Sequence, residues 1–369
     1  MKVLIVSNRV RTYALAFQNE IDSLLSLGHE IVWAADFSKF IGNRAEIPCK
    51  TVQIDIVSYP FHRTNLKAYN QIKTIIKDER IEAVSSSTPI GGTLARIAAW
   101  RCGLKKNIIY AAHGFLFFKG VPILKRELFR LHEALLAHIT DTIITITEED
   151  FEAASHFRLR NHTKPYLVHG AGVKTGLKAD KDRHVVRKEL DLDNEDVVIV
   201  SAGDLNDNKN NQVVIKAMPL LPSNVHYIIC GTGPKLDYLQ HLSAKLGIED
   251  RTHFLGYRTD MKDILSASDI FVMPSFREGV PRSILEAMDL SLPCIGSRTR
   301  GIRDLIDEGK GGYLSDPNSP EEYANALRLL CESKERRIAF GEYNTAKVKY
   351  YSNEVVCAEL YEIYKQSIR

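Results

Sequence analysis

Residues 275–293 read S-F-R-E-G-V-P-R-S-I-L-E-A-M-D-L-S-L-P, and this stretch decides the fold. The apolar run Ile270-Phe-Val-Met just before it has the composition of a buried parallel strand. Ser283-Ile-Leu-Glu-Ala-Met reads as a helix, with Pro281 near its first turn, where a missing N–H costs nothing. Leu292-Pro-Cys-Ile then opens another strand. Glu278 therefore falls in the loop at the carboxyl end of a strand, and Glu286 about one turn into the following helix. Open α/β sheets bind ligands at that end. The helix start also offers free backbone N–H groups and a positive dipole end, which suit a phosphate.

Outward from this stretch, strands and helices alternate almost throughout, the pattern of doubly wound α/β domains. In the first half, Lys2–Val6, Glu30–Ala34, Ala83–Ser86, Ile108–Ala112 and Thr142–Thr145 read as strands. Helical periodicity runs over Tyr13–Leu27, Ala68–Glu79, Thr93–Cys102 and Leu124–Ala137. A second series has strands at Val197–Ala202, His226–Cys230, Thr252–Leu255, Ile270–Met273 and Pro293–Gly296. Its helices are expected at Gln212–Leu220, Lys235–Leu246, Met261–Ala267 and Arg282–Asp289. The polar, glycine-bearing segment between the two series reads as a linker with one short helix. The expected division is a first domain over 1–165, a linker over 166–193, a second domain over 194–345 and a final helix over 346–369.

Composition narrows the class. At 369 residues the chain is too long for one typical core. A hydrophobic content of 44% and a charged content of 26% are ordinary for a soluble globular enzyme. The six cysteines include no C-x-x-C pair, and several sit in apolar strand-like runs, so they read as reduced core residues with neither metal site nor disulfide framework. Lys2-Val-Leu-Ile-Val enters directly into a strand, without the features of a signal peptide. No stretch approaches eighteen apolar residues, so a cytoplasmic protein is expected. A net charge of only +3 argues against a nucleic-acid partner. The first 165 residues nevertheless carry a basic surplus, with 22 Lys+Arg against 16 Asp+Glu, which suits an anionic acceptor or the inner face of a membrane.

The spacing of Glu278 and Glu286 resembles the E-x7-E signature of retaining glycosyltransferases of family four, which have the two-domain B-type (GT-B) architecture. The resemblance implies two Rossmann-like doubly wound domains facing a cleft, with the last helix, here Tyr350–Arg369, crossing back to the first domain. It implies that Glu278 contacts hydroxyls of a donor sugar and Glu286 the ribose of its nucleotide. A carboxylate suits both because it accepts two hydroxyl protons at once. Ser201-Ala-Gly-Asp-Leu-Asn-Asp-Asn-Lys-Asn resembles the family's G-[R/E]-L-x-x-x-K-N loop, in which Lys209 would bind the donor phosphates beside Gly203. Asp204 stands where the commonest pattern has Arg, so one phosphate cation is missing and Arg282 is its candidate substitute. Gly279, Val280 and Pro281 shape the loop at Glu278, and Tyr257-Arg258 falls where the family reads the base, which points to a UDP-sugar donor and leaves guanosine and adenosine nucleotides open. Arg300-Gly301 replaces a common Gly-Gly, a change that would reshape the sugar pocket.

In the first half, His113-Gly-Phe-Leu-Phe-Phe-Lys-Gly resembles a stretch of bacterial family members that extend lipid-linked polysaccharide repeat units, as in capsule, exopolysaccharide and O-antigen synthesis. His113 ends a strand, and a neutral imidazole there can hydrogen-bond a donor-sugar hydroxyl. Phe117, Phe118 and Lys119, with Lys125, Arg126 and Arg130 behind them, suit a membrane interface or a prenyl diphosphate. Arg9 and Arg11 stand where many members have a Gly-Gly pair and could meet an anionic acceptor.

The resemblance implies transfer with retention, by front-face attack of an acceptor hydroxyl while the nucleotide diphosphate departs. Neither metal nor organic cofactor is required if Lys209, the helix start and Arg282 carry the leaving charge. The nucleotide sugar is the substrate. Three rivals share the architecture: a nucleotide-sugar epimerase, a synthase using a soluble sugar phosphate, and a non-catalytic scaffold of a polysaccharide assembly complex. Which sugar, which linkage and which acceptor depend on pocket shape that periodicity does not resolve.

Overall fold

The computed structural model describes every residue of the chain except 11, 14–16, 61, 119 and 369. It divides into two compact units. The first holds Met1–Gly172 together with Asn353–Arg369, and the second holds Val173–Ser352.

The first unit is built on strands β1 (Lys2–Arg9), β2 (Glu30–Asp36), β3 (Lys50–Gln53), β4 (Ala83–Ser87), β5 (Ile108–Ala112), β6 (Thr142–Thr145) and β7 (Tyr166–Leu167). They form one parallel sheet in the order β3-β2-β1-β4-β5-β6-β7. Strand β1 shows why an unbroken apolar run is needed. Val3 and Ile5 enter one hydrophobic cluster, Leu4 and Val6 enter another, and all four are fully buried. A parallel sheet covered by helices on both faces demands this.

The helix Asn353–Ser367 completes the first unit. Val356, Leu360, Ile363 and Tyr364 join Ile21 and Leu24 of the helix Gln18–Ser26 in a single cluster. Beneath them the Tyr364 hydroxyl donates to the buried Glu20 carboxylate at 2.8 Å, and Ser85 Oγ donates to the same oxygen at 2.5 Å. The helix expected over Tyr13–Leu27 is observed over Gln18–Ser26, and residues 14–16 lie outside the described chain.

The second unit contains β8 (Val197–Ala202), β9 (Val225–Cys230), β10 (Thr252–Gly256), β11 (Ile270–Met273), β12 (Cys294–Ser297) and β13 (Gly312–Ser315). These are parallel in the order β10-β9-β8-β11-β12-β13. Ile199 points to one cluster while Val198 and Val200 point to the other, so this sheet too is covered on both faces. The order reverses between β8 and β11, and a doubly wound sheet opens its ligand crevice at the carboxyl ends of such a pair.

The segment expected as a linker is divided between the units. Strand β7 belongs to the first sheet, while Val173 pairs with Ser352 and the helix Arg183–Glu189 packs in the second unit. Arg187 of that helix is buried, with its guanidinium bonded to Asp269 and to the backbone oxygens of Asp193, Asn194, Asp196 and Ala267. A buried cation so fully bonded fixes the segment to its domain.

Candidate active site

The loops leaving β8 and β11 flank the reversal point, and they are tied to each other. Asn208 O accepts from Phe276 N at 2.8 Å, and Asn208 Nδ2 donates to Arg277 O at 2.9 Å. Asn210, in the left-handed region at φ 52°, directs its amide to Pro274 O at 3.2 Å and Pro317 O at 2.7 Å. An asparagine tolerates that conformation and ends the loop just before the helix Asn211–Ala217.

Within this frame Lys209 reaches Glu278. The ammonium lies 2.8 Å from Oε1, and both side chains are mostly but not wholly buried. The lysine stem crosses Gly203, where a Cβ would come within 2.9 Å of Lys209 Cε, and Gly203 holds φ +148°. A side chain at residue 203 would displace the lysine. The structure therefore brings together Lys209, Gly203 and Glu278, which sequence reading assigned to one donor site from separate motifs.

Gly301 was legible only as part of a departure from the Gly-Gly pattern, yet its position is among the tightest. A Cβ there would stand 1.4 Å from Gly279 O, at φ +77°, so only glycine lets the loop after β12 lie against the Glu278–Gly279 backbone. Arg300, largely buried beside it, directs Nε toward Glu278 O at 3.5 Å. Val280 packs against the second unit's core.

The helix Arg282–Asp289 begins immediately after Pro281 and buries Ile284, Leu285, Ala287 and Met288. Glu286 lies on the opposite, half-buried side. Burial pushes its carboxyl above the usual range, and the Arg282 guanidinium opposes that rise. Such a group responds to any ligand that changes its hydration.

Two expected donor contacts look different in place. Tyr257 is exposed at the turn after β10, whereas Arg258 forms a two-point ion pair with Asp260 at 2.6 and 2.8 Å. That guanidinium is committed within its own turn. A crevice of about 550 Å³ lined by Arg183, Asp196, Asp269, Leu292 and Arg337 contains none of the candidate residues. It opens among segments that precede β8, β11 and β12, at the amino ends of the strands, and its Asp269 is already bonded to Arg183 and Arg187. The ordinary site of chemistry in this fold is the other edge.

In the first unit, His113 follows β5, and its ring lies parallel to Phe17 with centroids 6.3 Å apart. The residue keeps exposed surface, but the protein around the imidazole desolvates it and lowers its proton affinity. His113 therefore favours the neutral form. It borders a small cavity of about 30 Å³ that also touches Asn19, Glu20 and Tyr364.

The five acceptor-side candidates differ in place: two lie outside the described residues and three are described. Phe117 is buried, stacked on Phe115 at 4.8 Å and edge-on to Phe157, so it is a core residue and not an inserted aromatic; Phe118 is only partly exposed. Arg9 is held by Asp36 at 3.1 Å. Burial alone would raise the Asp36 pKa, but hydrogen bonds from Ser38, Gln53 and Arg9 bring it down to about 2. Arg11 and Lys119 lie outside the described residues.

One doubly wound parallel sheet in each unit, with a cation and a carboxylate joined at the reversal point of the second, defines an α/β protein of the B-type glycosyltransferase class. The Glycosyl transferases group 1 family matches residues 182–347, and Glycosyltransferase Family 4 matches residues 17–170. The chain belongs to this glycosyltransferase family. EpsD of Bacillus subtilis (strain 168), whose own assignment as a glycosyltransferase is provisional, is 31% identical over 84% of this chain and 83% of its own length. The Escherichia coli UDP-Gal:alpha-D-GlcNAc-diphosphoundecaprenol alpha-1,3-galactosyltransferase is 27% identical over 73% of this chain and 71% of its own. Among solved structures, Anabaena Alr3699/HepE in complex with UDP matches 99% of this chain and 100% of its own with a TM-score of 0.80 at 18% identity. WaaG, a glycosyltransferase of lipopolysaccharide biosynthesis, covers 98% and 99% with a TM-score of 0.75 at 16% identity. At these identities the structures speak for the fold.

Proposed function

We propose that the protein is a retaining glycosyltransferase that moves a hexosyl or N-acetylhexosaminyl group from a UDP-sugar to a saccharide carried on a polyprenyl diphosphate, in bacterial surface-polysaccharide synthesis at the cytoplasmic face of the membrane. The observation that carries it is the Lys209–Glu278 pair at the reversal point between β8 and β11. A diphosphate set against the ammonium competes with Glu278 for it. As Lys209 turns to phosphate, the carboxylate is freed to accept hydrogen bonds from sugar hydroxyls. Donor binding thus exchanges one internal pair for two external ones, with Glu286 left for the ribose.

In the transfer itself, the acceptor hydroxyl attacks the anomeric carbon from the face that the diphosphate leaves. The C–O bond to phosphate breaks as the new glycosidic bond forms, and the departing phosphate oxygen takes the acceptor proton. Lys209 and Arg282 stabilise the developing charge without any proton transfer of their own, which is the role a divalent metal would otherwise fill. A neutral His113 would hydrogen-bond a donor-sugar hydroxyl. The uridine preference draws support from the E. coli relative, whose name specifies UDP-Gal and a diphosphoundecaprenol acceptor.

The test is binding and turnover across UDP-, GDP- and ADP-sugars, with and without chelator, followed by the anomeric configuration of the product. Saturable UDP-sugar binding lost in Glu286→Ala, turnover insensitive to chelator, and a retained anomer are expected. Inversion, or activity abolished by chelator and restored by magnesium, would overturn the mechanism. Epimerisation of the donor without any acceptor would replace it.

A further inference from the structure

The helix Ile123–Ala137 presents its apolar residues the wrong way round for an ordinary surface helix. Leu124, Leu128, Leu131 and Leu135 recur at steps of four, three and four, and are 86%, 63%, 57% and 62% exposed. That spacing puts them in one stripe along about 16 Å of helix. The side packed on the protein is partly polar: Glu133 is buried against Arg96 of the neighbouring helix at 2.8 Å, beside Leu136 and Ala137. The stripe faces outward because the inward side is already satisfied. Ile123, 72% exposed, widens it at the amino end. Single exposed leucines are normal, but a continuous row of them marks a contact surface.

The surroundings of the stripe indicate what covers it. Lys125 and Arg130 are exposed on the same helix, and its one exposed acid, Glu127, is paired with Arg126 and Arg130. The adjacent helix Pro89–Arg101 is joined to this one by Arg96–Glu133 and by Thr93 Oγ1 to His132 Nε2 at 3.0 Å. Trp100 lies on the same side of that helix as Thr93 and Arg96, by the three- and four-residue period, and is 48% exposed. Exposed Arg101, Lys105 and Lys106 follow directly. A leucine stripe flanked by lysine and arginine, with an exposed tryptophan, is the composition of a helix that lies in a lipid headgroup layer. A protein interface core would instead be depleted in lysine, of which Lys125, Lys105 and Lys106 stand here.

We infer that the helix Ile123–Ala137 is a docking surface for an anionic lipid bilayer, with the leucine stripe entering the headgroup boundary and Lys125, Arg130, Arg101, Lys105 and Lys106 meeting lipid phosphates. This assigns the membrane contact to the stripe and not to the aromatic run before it, whose Phe117 is core. The inference stands on the first unit alone and is independent of the donor chemistry proposed above.

The full-length protein is sedimented with phosphatidylcholine vesicles, with and without phosphatidylglycerol, while tryptophan emission is followed. Trp33 is fully buried, so a blue shift on vesicle addition reports Trp100. Capture by phosphatidylglycerol vesicles, reduced by salt, is expected. L128E/L131E should weaken it at least about tenfold with an unchanged melting temperature, since both side chains are exposed. Lys125→Glu with Arg130→Glu should weaken capture by the anionic vesicles specifically. Equal partitioning to both vesicles, undiminished capture of L128E/L131E, or a stable dimer dissociated by L128E/L131E would each overturn the inference, the last in favour of a second copy of the chain. Because no sugar nucleotide enters the assay, these outcomes are separate from those that test the transfer reaction.

Discussion

The pair formed by Lys209 and Glu278 carries an asymmetry between stability and function. Both side chains are mostly buried, so removing one partner costs more than the about 0–1 kcal/mol of an exposed pair and up to the about 3–5 kcal/mol of a fully buried one. Its proposed value to a departing diphosphate is separate, because the charge there develops only in the transition state. Lys209→Ala should therefore lower the melting temperature by no more than a broken pair explains while lowering sugar transfer by about 10²–10³-fold in protein that remains folded. A large fall in melting temperature with proportionate loss of activity would make the lysine structural. Glu20 offers the opposite case, a titratable residue with a stability role and no part in the proposed chemistry. Burial raises its pKa above the ordinary 4.5, and the hydrogen bonds from Ser85 and Tyr364 only partly offset this. A carboxyl whose folded pKa is raised favours the folded state most below its unfolded value, and the contribution is lost as pH rises through the folded value. Glu20→Gln keeps an acceptor for both hydroxyls but cannot ionise. Melting of the two proteins from about pH 5 to pH 8 should show the variant gaining on the parent as pH rises. Parallel curves would mean that Glu20 titrates normally.

At the scale of elements, legibility followed burial. Strands β1, β8 and β11 announce themselves because both faces are covered and their central residues must be apolar, as in Val3-Leu-Ile-Val and Ile270-Phe-Val-Met. Strand β3, Lys50-Thr-Val-Gln, and the two-residue β7 lie toward the sheet margins and carry no such run; only their neighbours define them. The helix Ile123–Ala137 exposes a deeper limit. Its periodicity is plain, but periodicity shows that a stripe exists and not whether it faces the core, and here Arg96 and Glu133 occupy the inner side. The candidate site divides similarly. Glu278, Glu286 and Lys209 are each visible in a local motif, whereas the bond between Lys209 and Glu278 joins residues 69 positions apart and depends on sheet order. Gly301 is the clearest such case, since its need for glycine arises from a loop that precedes it by twenty-odd residues. Gly301→Ala would combine a left-handed backbone with a clash against Gly279 O. It should cost at least about 2 kcal/mol or move the Glu278 loop, seen as weaker donor binding. Normal stability together with normal binding would show that the loop yields freely.

The whole molecule is asymmetric in how its chain is spent. The second unit is one continuous segment, Val173–Ser352, whose two hydrophobic clusters, among the described residues, are built from that segment alone. The first is discontinuous: its cluster around Val3, Ile21 and Trp33 is completed by Val356, Leu360, Ile363 and Tyr364 from the last helix. Removing Asn353–Arg369 would strip those apolar side chains from Ile21 and Leu24 and leave Glu20 and Ser85 without the Tyr364 hydroxyl. Losing even one large core side chain costs about 2–5 kcal/mol, against a typical total stability of about 5–15 kcal/mol. A fragment of residues 1–172 should therefore fail to fold. Residues 173–352 should fold alone and melt cooperatively, because their sheet, both clusters and the buried Arg187–Asp269 network are intact. That fragment also holds Lys209, Glu278 and Glu286, so it should bind the nucleotide diphosphate while transferring no sugar, since His113 lies in the other unit. Calorimetry of the fragment with and without UDP decides the matter. Cooperative melting and a rise in melting temperature with UDP would place the donor site wholly on this unit. A folded fragment with no UDP response would mean that residues of the first unit are needed to complete the donor site.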